Sequence, residues 1–324
     1  MTDERAPGPS SLEVQVLGAA TRVSLDPAVA GAIGPTLALA AQHARQPDAR
    51  PERVELRAGP ATAGGGGAVA LPLFVLERED GTPIATGDSM TLLNALIADT
   101  EARAAALEQA GAVFRAGCVH IGGRRVVLTG WGAPGVTTLL LALGRRGHLL
   151  EADSHLLLAG GGLSAVTRRF MVRRNAIEVL DWLEPALATI PWLENRSGEI
   201  VHVVDPTELG MDWRAGRGPV DAIVELEGNH GGSNRLRPSS RWEAVRALAE
   251  RAREPGGAPT GSPARWMGEL CAVVDPARCL HLTVGDPDGA ASLLEEALLG
   301  AGLPVGAVLG RPPPDLRARR EDVH

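Results

Sequence analysis

The stretch VVLTGWGAPGVTTLLLALGRRGHLLEAD, residues 126–153, decides the fold. Val126 to Thr129 is a short apolar strand, of the kind buried within a sheet. It runs straight into the glycine-rich turn Gly130 to Gly135. Helical sequence from Thr138 to Arg146 follows and stops at Gly147, a residue suited to the left-handed conformation that ends helices. A second strand, His148 to Leu150, leads to Glu151-Ala152-Asp153. Strand, glycine turn, helix and acid-ended strand make a βαβ unit.

Residues 130–137 read GWGAPGVT. The phosphate-binding loop (P-loop) pattern is G-x-x-x-x-G-K-[ST]. Gly130, Gly135 and Thr137 match it, and Val136 stands where lysine is required. The functions of such a loop separate physically. Backbone N–H groups at a helix start attract phosphate through the helix dipole, which needs glycines and no lysine. The turn residues Gly130, Gly132 and Gly135, with Val136, Thr137 and Thr138 opening the helix, are therefore the candidate nucleotide-binding set. The Thr137 hydroxyl and the Asp153 carboxylate are the candidate ligands for Mg²⁺, with ATP as the cofactor. Lysine adds a mobile positive charge on the terminal phosphates, and valine cannot.

Composition narrows the function classes. The chain has 324 residues, 44% hydrophobic and 22% charged, enough for a sizeable core in two domains. The formal charge is −7, which argues against a general nucleic-acid binder. Lysine is absent, so all 32 basic Lys/Arg positions are arginine, and arginine must do any cationic work. Lys, Tyr, Phe and Asn, all with AT-rich codons, are rare while Ala, Gly, Arg and Pro abound, as a GC-rich genome produces. Three cysteines without a C-x-x-C pair fit reduced thiols. No signal peptide or membrane span is expected, which places the protein in the cytoplasm.

The expected organisation is a disordered leader over 1–11, an α+β domain over 12–110, an α/β P-loop domain over 111–310 and a flexible tail over 311–324. In the first domain LEVQVL (12–17) alternates as a strand, 28–44 is helical, and LPLFVLERE and TPIATGD form a hairpin about Asp80-Gly81. Residues 89–110 have helical periodicity with Ser89 as N-cap. In the second domain VFRAGCVHI (113–121) reads as one strand. Ser240 to Arg253 reads as a helix with Trp242, Val245 and Leu248 on its apolar face.

Residues 113–158 resemble the catalytic core of the HPr kinase/phosphorylase family. The similarity rests on the strand, the loop, a helix ending in Arg146-Gly147, and the acid at the next strand end. That resemblance implies an HPr-kinase-like core with a mixed sheet and flanking helices, preceded by a smaller α+β domain. It also implies ATP and Mg²⁺ as cofactors, and a homo-oligomer. Against the family pattern the P-loop lysine falls on Val136, a histidine on Arg115, and the second of two paired acids on Ser154, while the first is kept as Asp153. Asp153 and Arg115 are thus the candidate catalytic residues. Ser154 is a poor base at neutral pH. Arg115, Arg124 or Arg125 can replace the missing charge, His155 can replace the base, and Glu151 is expected to face away from Asp153. With lysine, histidine and one acid all changed, the expected function is a non-phosphorylating binding or regulatory partner of a peptide or protein. The alternative is a divergent kinase for a hydroxyl of a peptide, protein or small molecule, with arginine replacing lysine.

Overall fold

A computed structural model describes residues 11–16, 19–40, 52–60, 74–131, 135–166, 168–194, 199–253 and 264–300. The expected leader apart from Ser11, the loop 254–263, the tail 311–324 and the candidate Gly132 lie outside the described residues.

The first part is a five-stranded sheet: β1 (Ser11–Val16), β2 (Ala19–Leu25), β3 (Glu52–Pro60), β4 (Phe74–Arg78) and β5 (Pro83–Gly87), paired in chain order. Helices α1 (Pro27–Ala38) and α2 (Ser89–Leu107) pack on it. The β4–β5 hairpin forms at Asp80-Gly81 as its turn chemistry dictates. Asp80 Oδ1 accepts from the Thr82 amide at 2.9 Å, and Gly81 takes φ 81°. The N-cap of α2 is Asp88 and not Ser89, because the Asp88 carboxylate accepts from the Thr91 amide at 2.7 Å. The Thr21 and Thr100 hydroxyls, 2.8 Å apart, fasten α2 to β2.

The second part contains β6 (Ala112–Phe114), β7 (Gly117–Ile121), β8 (Arg124–Gly130), α3 (Val136–Arg145), β9 (Leu149–Ala152), β10 (Leu156–Ala159) and β11 (Gly162–Ala165). It continues through β12 (Phe170–Arg173), α4 (Arg174–Val179), α5 (Leu183–Leu187), β13 (Trp192–Glu194), β14 (Ile200–Val204) and a 3-10 turn (Pro206–Leu209). The remaining elements are β15 (Arg217–Gly218), β16 (Ala222–Gly228), β17 (Arg235–Pro238), α6 (Arg241–Ala249), β18 (Ala252–Arg253), α7 (Ala264–Val274), β19 (Arg278–Val284) and α8 (Pro287–Leu299). The architecture is α/β.

A six-stranded sheet of order β17-β19-β16-β8-β7-β9 carries the loop. β8, β16 and β19 run parallel, and β7 is antiparallel to both β8 and β9. Hence β8 and β9 point the same way with one reversed strand between them, and the mixed sheet is observed directly. Val126, Leu128, Val224 and Leu282 face α3 and α8, whereas Val127, Ile223 and Cys279 face α6 and α7. Coverage on both faces explains why β8 reads as an unbroken apolar run. Fully burying one such leucine contributes about 1.5–3 kcal/mol.

VFRAGCVHI is two strands, not one. β6 belongs to the sheet β15-β11-β10-β6-β18 and β7 to the six-stranded sheet. Arg115-Ala116 carries the chain between them. The predicted helix 240–253 is α6 alone, capped by Ser240, with Ala252–Arg253 turned into β18. Val245 and Leu248 are buried, but Trp242 is exposed.

Candidate functional site

The loop has the expected placement: β8 ends at Gly130, and α3 begins at Val136. Gly135 is the N-cap at φ 85°, a left-handed conformation that glycine adopts without strain. No side chain caps α3, so its first amides are free of a side-chain acceptor. Among the described residues nothing lies within 4 Å of where a Gly135 side chain would begin.

Beneath this turn Thr137 Oγ1 donates to Asp153 Oδ1 at 2.7 Å. The two candidate metal ligands, 16 positions apart, are therefore adjacent. Asp153 is buried, and burial pushes its carboxyl above the usual carboxylate range. The Thr137 hydroxyl, the charges of Arg168 and Arg115, and a backbone hydrogen bond at Met171 act in the opposite direction. Thr138 lies half-buried on the first turn.

Val136 does not enter the loop. It packs against Gly117 at the start of β7, where a side chain on Gly117 would meet Val136 Cγ1 at 2.8 Å and Leu140 at 2.7 Å. The lysine position has joined the core beneath the helix.

Two arginines lie beside the strand end. Arg251 Nη2 donates to the Gly130 carbonyl, and its guanidinium lies 4.8 Å over the Trp131 ring. Burial, and then the charge of Arg115, lower the Arg251 pKa. The Arg115 amide donates to the Arg251 carbonyl at 3.1 Å, and its side chain is exposed. Among the described residues neither has a carboxylate within ion-pair distance. Arg115 is among the sequence candidates, and Arg251 is not. Its place depends on α6 ending at Ala249, and no motif announces that.

Other suggestions are corrected. Arg124 and Arg125 begin β8, at the opposite end from Gly130. Arg125 is buried and bound to Glu151, with Nε at 2.9 Å from Oε2. Glu151 also meets His120 Nε2 at 2.5 Å and accepts from Cys118 Sγ at 3.3 Å. It does turn away from Asp153. The pairing of β7 with β9 shifts register between Cys118 and Val119, and this bulge breaks the two-residue alternation. His155 is no free base, since both ring nitrogens are engaged and the ring is buried. Burial lowers its pKa, so the neutral ring donates through Nδ1 to Glu101 at 2.9 Å and accepts from Arg253 at Nε2. Ser154 supplies its carbonyl to the Ala116 amide, and its buried hydroxyl has no partner among the described residues.

No family model matches the chain, and no curated protein matches it. Among solved structures, the HPr(Ser) kinase/phosphatase from Coxiella burnetii is similar over 58% of this chain and 93% of that one. The identity is 13% and the TM-score 0.27. A match that loose decides nothing about activity.

The residues fit part of a nucleotide and its metal. The uncapped amides and the Thr137–Asp153 pair suit a phosphate and Mg²⁺, an ion that commonly takes only one or two protein ligands and completes its shell with water and phosphate. No cluster of three or more His, Cys, Asp or Glu suits a metal among the described residues. The lysine charge is missing from its usual place; Arg251 reaches the Gly130 carbonyl, and the charges of Arg168 and Arg115 act on Asp153. No described helix is long and apolar enough to cross a membrane.

Proposed function

We propose that this is a P-loop protein of the HPr-kinase-like kind that holds a nucleotide's phosphates without transferring them, and serves as a binding or regulatory partner of a peptide or protein. The observation that carries this reading is the Thr137–Asp153 hydrogen bond directly under the uncapped start of α3. Gly135 and the first amides of α3 would hold phosphate, and Thr137 with Asp153 would hold Mg²⁺. When bound, Mg²⁺ neutralises phosphate charge. Transfer lacks its usual supports: Val136 is packed on Gly117, and Ser154 cannot take a hydroxyl proton at neutral pH. Asp153 is held by Thr137 and His155 is tied to Glu101, so neither is a free base.

The second reading, a divergent kinase, is favoured by Arg251 and Arg115 beside Gly130. An arginine there can stabilise phosphoryl charge as lysine does elsewhere. Calorimetry with Mg-ATP and a phosphate-release assay separate the two. The expected result is saturable binding, weakened about tenfold or more in Asp153→Ala, with no turnover above the protein-free rate. Turnover that disappears in Asp153→Ala establishes the kinase. Absence of binding removes the phosphate reading altogether.

A further inference from the structure

Strands β12, β14 and β13 form a sheet with two unlike faces. Met171, Val203 and Leu193 pack on the core of the first part of the chain. On the other face Phe170, Val172 and Val204 are covered, but the sheet's outer end is not. Trp192 is 56% exposed and Ile200 49%, beside α4 and α5. A cavity of about 900 Å³ lies between this floor and the two short helices.

Four features give the groove a chemical preference. Its floor presents an indole and an aliphatic side chain. His202 Nδ1, in the floor, is buried and has no hydrogen-bond partner among the described residues. Its wall carries Glu178, Asp181 and Glu184. Arg174 pairs with Glu178 at 3.1 Å, whereas Asp181 and Glu184 have no cation within ion-pair distance among the described residues. Finally, β13 pairs with β14 alone, so its outer edge is free among the described strands.

We propose that this groove binds an extended segment of a partner polypeptide bearing lysine or arginine between apolar residues. A free strand edge supplies main-chain hydrogen bonds to an added strand, and side pockets select alternate side chains. Apolar side chains of that segment cover Trp192 and Ile200. Its cations meet Asp181 and Glu184 and the Trp192 face, where cation–π attraction adds to charge pairing. This assignment is independent of the phosphate loop and stands whether or not a nucleotide binds.

The absence of lysine makes the test unusually clean. Carbodiimide joins carboxylates to amines, and this chain has no lysine amine to cross-link with itself. The probe is a fluorescein-labelled, acetylated heptapeptide alternating leucine and lysine, added to the full chain. Fluorescence polarisation is expected to saturate, and coupling to map to Asp181 or Glu184. Trp192→Ala and the double variant Asp181→Asn/Glu184→Gln are each expected to weaken binding about tenfold. These side chains are exposed, so unchanged melting curves confirm an intact fold. The same peptide with glutamate in place of lysine is expected not to bind. No saturation, coupling confined to other carboxylates, or affinities unchanged in both variants would overturn the proposal.

Discussion

Glu151→Ala is expected to lower the unfolding free energy by about 3–5 kcal/mol, the cost of leaving a buried charge without its partner. Arg125 reaches Glu151 Oε2 through Nε at 2.9 Å and Nη2 at 2.8 Å, and both side chains are almost inaccessible. The same guanidinium donates to the Gly218 carbonyl at 2.7 Å and the Gly216 carbonyl at 3.3 Å. Glu151 therefore ties three neighbouring sheet strands, through Cys118 and His120 on β7, Arg125 on β8 and its own β9, to the 216–218 segment. Removing both charges with Arg125→Met and Glu151→Leu is expected to be less harmful than Glu151→Ala alone, because no ion remains uncompensated. Urea unfolding of the two variants and the wild type checks the order. The pH dependence follows from the same contacts. Despite burial, the His120 hydrogen bond and the Arg125 charge lower the Glu151 pKa from 4.5 to about 2. A depressed pKa stabilises the fold above pH 4.5, and this contribution is lost as pH falls toward 2. At about 1.4 kcal/mol per pH unit the whole span is worth roughly 3 kcal/mol. Asp153 acts with the opposite sign, since its raised pKa favours the protonated form in the folded protein. As pH falls from 4.5 toward 2 the wild type should therefore lose stability that Glu151→Ala has already lost.

What the sequence made legible follows from locality. The loop strand, the helix stop at Gly147 and the Asp80-Gly81 turn depend on neighbouring residues, and each forms as expected. The capping box at Asp205-Pro206-Thr207-Glu208 is equally local. By contrast, the break in 113–121 depends on which sheet each half joins, information that lies in β10 and β18 for one half and in β8 and β9 for the other. Arg168 and Arg169 are largely inaccessible. Arg169 meets Glu208 at 3.2 Å, and Arg168 lies 3.8 Å from Glu101. Their partners are 39 or more positions away and carry no marker in the sequence. The site divides in the same way. Thr137 and Asp153 were found through a motif and its spacing, whereas Arg251 and the engagement of His155 required the tertiary fold.

Val136→Lys is expected to raise Mg-ATP affinity about ten- to a hundredfold if phosphate sits over Gly135. A hydrogen bond to a charged group contributes about 1.5–3 kcal/mol, and about 1.4 kcal/mol is one decade of affinity. The site permits the change. Side chains on a helix lean toward its N-terminus, so a lysine on the first turn of α3 can lay its methylenes over Gly117 while its ammonium rises toward the loop. Lost valine packing costs about 1 kcal/mol, which a melting curve registers separately. Val136→Met, long but uncharged, is the control and should gain nothing. Calorimetry distinguishes three situations. A gain confined to lysine places phosphate at the start of α3. No gain, in a wild type that already binds tightly, transfers the cationic role to Arg251, and Arg251→Ala should then remove most of the affinity. No binding in any variant means that the turn kept its backbone but lost its ligand. Phosphate transfer should stay absent in Val136→Lys, because the added ammonium supplies charge and no base.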